Sequence, residues 1–121
     1  MIKKDISFFQ FYGDYGRLRQ MLVTVLDNAI KFSEAGTDIH LVISADQDHC
    51  IVNIINTGVG ISEDDLPHIF EEYHKKLGET NKMGTGLGLA IAKRIADQHD
   101  IIITATSVPN KETIFTFQLN N

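Results

Sequence analysis

Leu18, Met21, Leu22, Val25, Leu26, Ala29 and Ile30 recur at the spacing of one helix face. A helix apolar along one side must bury that side against a second layer. Asp14 is placed to cap its start, and Gly36 stops it soon after its end. The rest of the chain supplies the second layer. Residues 38–46 alternate around Ile39, Leu41 and Ile43, and 50–56 are apolar at both ends, with a polar hairpin turn at Asp46-Gln47-Asp48-His49. Two further strands are expected at 101–107 and 113–119, joined around Pro109-Asn110-Lys111, with Phe115, Phe117 and Leu119 toward one face. A short strand is read at 6–11. A second helix is read from a cap at Ser62, with acids in its first turn, to Phe70. A third runs over Leu87, Ile91 and Ile95 to about His99, and the charged, aperiodic stretch 74–83 between them reads as a loop. Strands interleaved with three helices predict an α/β (α+β) two-layer sandwich.

Composition narrows the class. A chain of 121 residues with 43% hydrophobic content is one domain able to bury its own core. The formal net charge of −5 and the lack of a basic patch interleaved with aromatics argue against a nucleic-acid partner. No apolar run reaches about 18 residues, so no membrane-inserted segment is expected, and the N-terminus does not read as a signal peptide. The single cysteine, Cys50, has no partner for an intrachain disulfide and fits a reducing compartment. Five scattered histidines have the spacing of no common zinc site.

Three segments carry chemistry. In Gly84-Thr85-Gly86-Leu87-Gly88-Leu89 the glycines alternate and then open a helix. A helix start presents unpaired N–H groups and about half a positive charge, and glycine lets a phosphate approach them. Asn28-Ala29-Ile30-Lys31-Phe32 ends the first helix, and Asn56-Thr57-Gly58-Val59-Gly60-Ile61 follows a strand. Taken separately, each is equally compatible with an ordinary loop or a solvated helix face. Together, and in this order, they point to a nucleotide site.

These segments resemble the ATP-binding catalytic domain of bacterial sensor histidine kinases, in the wider family that includes type II topoisomerase and Hsp90 ATPase domains. The resemblance runs from about residue 6 to 119. Arg17 to Leu22 leading into Asn28–Ser33 resembles the asparagine box. Asn56 to Ile61 resembles the first glycine box, Ile69-Phe70-Glu71-Glu72-Tyr73 the phenylalanine box, and Gly84 to Leu89 the second glycine box. The resemblance implies a Bergerat-type mixed sheet with three helices on one face and ATP between the helices and a lid. It implies Asn28 as the Mg2+ ligand and Lys31 as a phosphate contact. It implies nucleotide contacts from Asn56, Gly58, Gly60, Ile61, Phe70, Tyr73, Gly84, Thr85, Gly86, Leu87, Gly88 and, through water, Thr113. Lys75, Lys76 and Lys82 are further phosphate candidates, set against plain solvation.

The departures matter. Asn56 stands where most members have an aspartate that accepts from the adenine amino group, so the charge is lost while an acceptor remains. Thr24 stands where ATP-hydrolysing relatives have glutamate; threonine has no basic group near neutral pH and cannot activate water. His99-Asp100-Ile101 and Asn110-Lys111-Glu112 stand where glycine-bearing turns are common. No histidine lies in the setting of a phosphoacceptor. The resemblance therefore implies the donor half of a kinase, with no catalytic residue of its own. The γ-phosphate would go to a histidine on a separate dimerisation domain of a cytoplasmic parent protein, and from there to a response regulator. An anti-sigma-type serine kinase and a non-catalytic nucleotide-binding module are the alternatives.

Overall fold

Alternate apolar residues on four strands set the inner face of a sheet, and two amphipathic helices are packed on it. The computed structural model describes residues 2–6, 9–71, 88–108 and 110–120. In chain order these form β1 (Ile2–Ile6), α1 (Tyr15–Phe32), β2 (Ile39–Ala45), β3 (His49–Thr57), a 3-10 turn (Leu66–His68), α2 (Gly88–Gln98), β4 (Ile102–Val108) and β5 (Glu112–Asn120). The sheet order is β1-β2-β3-β5-β4. β1 runs parallel to β2 and the other pairings are antiparallel, so the sheet is mixed as expected.

The register aligns residues of like character in rows across the sheet. Ile43, Val52, Phe117 and Ile103 form one row; Leu41, Ile54, Phe115 and Ala105 form the next. All of these but Ile43 belong to the core or pack against it, with Phe117 and Ile54 fully buried. One row further on, Ile39 is followed by Asn56, Thr113 and Ser107. The helix-facing side of the sheet thus turns from apolar to polar at this end. The turn between β2 and β3 is held by Asp46, whose carboxylate accepts from the N–H groups of Asp48 and His49, each at 2.8 Å. Those two bonds favour the ionised form and lower its pKa.

Helix α1 begins as the sequence predicts: the Asp14 side chain accepts from Arg17 N–H at 3.1 Å. Met21, Val25, Asn28 and Ala29 are its buried residues. Alanines 90, 92 and 96 on the buried side of α2 let that helix lie close to α1 and the sheet. His99 links the two helix ends. Its Nδ1–H donates to Ile95 O at 2.9 Å, so its Nε2 accepts the Asp14 N–H at 3.1 Å.

Four sequence expectations need correction. The first strand is Ile2–Ile6, not 6–11; Phe9 and Phe11 stack on each other outside the sheet, ring centroids 6.4 Å apart. The helix expected from Ser62 to Phe70 is only a turn. Ser62 does accept from Asp65 N–H, but Pro67 removes an N–H that a continuing helix requires. The described residues therefore hold two α-helices rather than three. Ile30, placed on the buried stripe, is 60% exposed. The loop read at 74–83 lies outside the described residues.

Asp100 and Asn110 occupy the two turns where glycine is usual in the resembling family, and both have left-handed backbones, with φ of 56° and 61°. An L-residue there costs roughly 1–2 kcal/mol, less for Asp and Asn, whose short polar side chains tolerate the region. Glycine removes that cost but has more unfolded-state freedom to lose. Asp100→Gly and Asn110→Gly are each expected to leave stability unchanged or raise it by up to about 1 kcal/mol. Denaturant midpoints that fall in both variants would contradict the strain.

Candidate nucleotide site

Among the described residues, three buried side-chain polar atoms have no hydrogen-bond partner: Oδ1 of Asn28 and both Oδ1 and Nδ2 of Asn56. All three belong to residues lining one pocket. It opens at the polar end of the sheet, with about 350 Å³ of empty space including its mouth. Helix α1 contributes Asn28 and Phe32, β3 contributes Asn56, and the loop after it Gly60 and Ile61. Leu89 of α2 and Thr113 and Phe115 of β5 complete the wall. A buried polar group left unpaired costs on the order of 1–3 kcal/mol. Three such atoms gathered in one pocket make it the candidate ligand site.

The two asparagines are held differently. Asn28 donates its Nδ2–H to the Thr24 carbonyl one turn back, at 3.1 Å. That bond uses the amide nitrogen and leaves Oδ1 without a partner in this pocket-lining residue. An amide oxygen suits a hard divalent cation such as Mg2+; the donor set here offers one such ligand. Asn56 is 1% exposed and nothing in the described protein pins its amide.

A polar relay closes the sheet side. Ile61 N–H donates to Ser107 Oγ at 2.7 Å, and Ser107 O–H donates to Glu112 O at 3.1 Å. Thr113 must then donate its own proton to Ser107 Oγ, 3.1 Å away. Thr113 is left with acceptor capacity only. The relay holds the loop at Gly60, whose φ of +74° favours glycine.

The structure brings together Asn28, Asn56, Gly60, Ile61 and Thr113, five of the residues that the resemblance implies. Gly88, at the start of α2, abuts them: a side-chain carbon there would lie 3.3 Å from Thr24 Cγ2 and 3.8 Å from Asn28 Nδ2. Three others lie apart. Lys31 is exposed and borders a separate groove with Gly58. Phe70 is half-buried and packs on the core. Gly58 is a packing position, since an added Cβ would come within 2.2 Å of Phe32 O. Tyr73, Gly84, Thr85, Gly86 and Leu87, with Lys75, Lys76 and Lys82, lie outside the described residues. Asn28 is also not opposite the apolar stripe. It continues the buried line of Met21 and Val25 at the i, i+4, i+7 spacing. Phe32, Leu89 and Phe115 were missed as pocket residues because an apolar wall looks like core in a sequence.

A family model described as "Histidine kinase-, DNA gyrase B-, and HSP90-like ATPase" matches residues 13–121. The chain belongs to this family. Its similarity to sensor histidine kinases is direct. Sensor histidine kinase YkoH of Bacillus subtilis (strain 168) is 38% identical over 99% of the chain and 26% of its own length. Sensor histidine kinase RppB of Synechocystis is 31% identical over 98% of the chain and 27% of its own length. The chain thus spans about a quarter of these relatives. Among solved structures, the nucleotide-free catalytic domain of histidine kinase ThkA superposes with a TM-score of 0.82 at 26% identity, covering 98% of this chain and 76% of that one. Full-length ShkA in complex with AMPPNP gives 0.74 at 28% identity, over 97% of this chain and 25% of that one.

Membership in this ATPase family does not make every glycine a ligand contact. Gly58→Ala is expected to cost roughly 1–3 kcal/mol, as over-packing does, because Gly58 lets β3 approach the end of α1. A melting curve at the wild-type position with weakened nucleotide binding would instead make Gly58 a contact.

Proposed function

We propose that this chain is the ATP-binding, phosphate-donating domain of a sensor histidine kinase, with the nucleotide in the pocket between α1, α2, β3 and β5. The observation that carries this is the set of three unpartnered amide atoms in one apolar-walled pocket. The aromatic and aliphatic walls from Phe32, Ile61, Leu89 and Phe115 suit a flat base. Asn56 and Thr113 lie at the polar row, where the base edge would meet them. Asn28, with its unpartnered oxygen, sits beside Gly88 where α2 begins, the end suited to phosphates.

Asn28 Oδ1 is the group that would hold Mg2+, and the ion when bound neutralises phosphate charge. Lys31, exposed on the last turn of α1, is a long flexible cation at the same helix end. Thr24 places Asn28 through its carbonyl and offers no base for water. Such a site positions the terminal phosphoryl group rather than activating a nucleophile. The acceptor would be a histidine on a helical dimerisation domain of the parent protein, with a response regulator downstream and the reaction on the cytoplasmic side. No helix among the described residues is long and apolar enough to cross a membrane.

The test is incubation with γ-labelled ATP, with and without dimerisation helices. The chain alone is expected to show neither self-labelling nor appreciable turnover. With the helices, label should appear on histidine, stable to base and lost in acid. Acid-stable label on serine would favour the anti-sigma-type kinase, and phosphate release by the chain alone a true ATPase. No label with the helices present would favour a non-catalytic binding module.

A further inference from the structure

We propose that Asn56 lets this pocket take 6-oxopurine nucleotides as well as adenine nucleotides, by turning over its amide to match the base. The inference rests on the nucleotide reading of the pocket given above and concerns which bases it admits.

Asn56 is 1% exposed on the helix-facing side of β3, and both of its amide atoms are unpartnered. The contrast with Asn28 is informative. Asn28 is locked by its bond to the Thr24 carbonyl and has only its oxygen unpartnered. No such bond locks Asn56, so a half-turn of its amide exchanges donor and acceptor without breaking a bond to the described protein. An amide offers one acceptor and two N–H donors side by side. Adenine presents a donor, its 6-amino group, next to the acceptor N1. A 6-oxopurine presents the reverse, an acceptor at O6 next to N1–H. One orientation of Asn56 pairs with the first and the other with the second.

The neighbours do not restore selectivity. Thr113, directly across the register from Asn56, has its proton committed to Ser107, and Ser107 has its own committed to Glu112 O. The hydroxyl of Thr113 therefore accepts from a ligand or an intervening water and is not forced against either base. The rest of the lining is Asn28, on the phosphate side, Gly60, and the apolar side chains of Phe32, Ile61, Leu89 and Phe115, which offer a base no hydrogen-bonding atom. An aspartate at position 56 would differ in kind. Its ionised carboxylate only accepts, so with either base it would take the one donor, the 6-amino group or N1–H, and face the acceptor beside it with like partial charge.

The test is Mg2+-dependent binding of ATP and of inosine triphosphate, which lacks the extra 2-amino group of guanine, to the wild-type chain and to Asn56→Leu, which keeps the shape and has no hydrogen-bonding atom. The wild type is expected to bind the two within about tenfold of each other. Asn56→Leu is expected to weaken both nucleotides by a similar factor, roughly tenfold, because each base loses its amide pairing; a loss for ATP alone overturns the proposal. In the wild type the side-chain NH2 resonances of Asn56 should move with both ligands and to different positions, a readout that needs no variant. A wild type that favours ATP over inosine triphosphate by more than about 100-fold overturns the proposal while leaving the nucleotide site standing. Binding of neither nucleotide by the wild type overturns both.

Discussion

Asn28→Ala is expected to weaken Mg2+-dependent nucleotide binding by at least about tenfold, or 1.4 kcal/mol or more, while the chain stays folded. The first half follows from the amide oxygen. It is buried and unpartnered, on a pocket-lining residue whose Nδ2 is bonded to the Thr24 carbonyl. Alanine removes the only metal-type donor that α1 gives to the pocket. The second half follows from what Asn28 does not do for the fold. Its single side-chain bond lies within its own helix turn, and its oxygen stabilises nothing in the described protein. Truncation relieves an unpaired buried oxygen, which offsets the small void it leaves. Calorimetric titration in Mg2+ and in chelator separates the metal-dependent part. Equal affinity of variant and wild type in Mg2+ would remove Asn28 from the site, and a variant that fails to fold would make it structural.

Phe117→Ala is expected to cost about 3–5 kcal/mol, the usual range for truncating a buried phenylalanine. The ring has no exposed surface and lies in the row between Val52 and Ile103, under both helices. The truncation leaves a cavity in the middle of a sheet that carries the pocket two residues away, at Phe115. Domains of this size have total stabilities on the order of 5–15 kcal/mol, so the loss is a large share of the whole. Urea unfolding should show a lower midpoint with an unchanged slope. A loss under about 1 kcal/mol would mean that the core is not organised around this row.

The antiparallel part of the sheet was legible because its signals are local. A polar turn between an alternating run and one apolar at both ends specifies β2 and β3, and Phe115, Phe117 and Leu119 mark one face of β5. β1 was missed for the opposite reason. Ile-Lys-Lys-Asp-Ile has charges where a central strand would be apolar, and nearby Phe8, Phe9 and Phe11 drew the strand toward them. The structure makes β1 an edge strand, paired on one side only, and edges carry charge. The acidic start at Ser62 carried the sign of a helix, and Pro67, five residues after Ser62, carried the sign against.

The site was legible as motifs and only partly as geometry. Asn28, Asn56, Gly60, Ile61 and Thr113 come from three separate segments, and only the sheet register and the packing of α1 bring them to one pocket. Lys31 follows Asn28 by three positions, yet one is exposed and the other buried, because the boundary of the buried stripe passes between them. That boundary depends on where α2 and the sheet lie, which no spacing within α1 encodes. The solvated helix face that the sequence left open for Asn28 is excluded by its burial.

The central claim is that the amide-lined pocket binds a Mg2+-nucleotide, and titration of the chain with Mg-ATP tests it most directly. The account predicts saturable binding between micromolar and millimolar, roughly −4 to −8 kcal/mol, with the resonances of Asn28, Asn56 and Thr113 moving together. Absence of heat, of a thermal shift and of any resonance change at those three residues at millimolar Mg-ATP would contradict it.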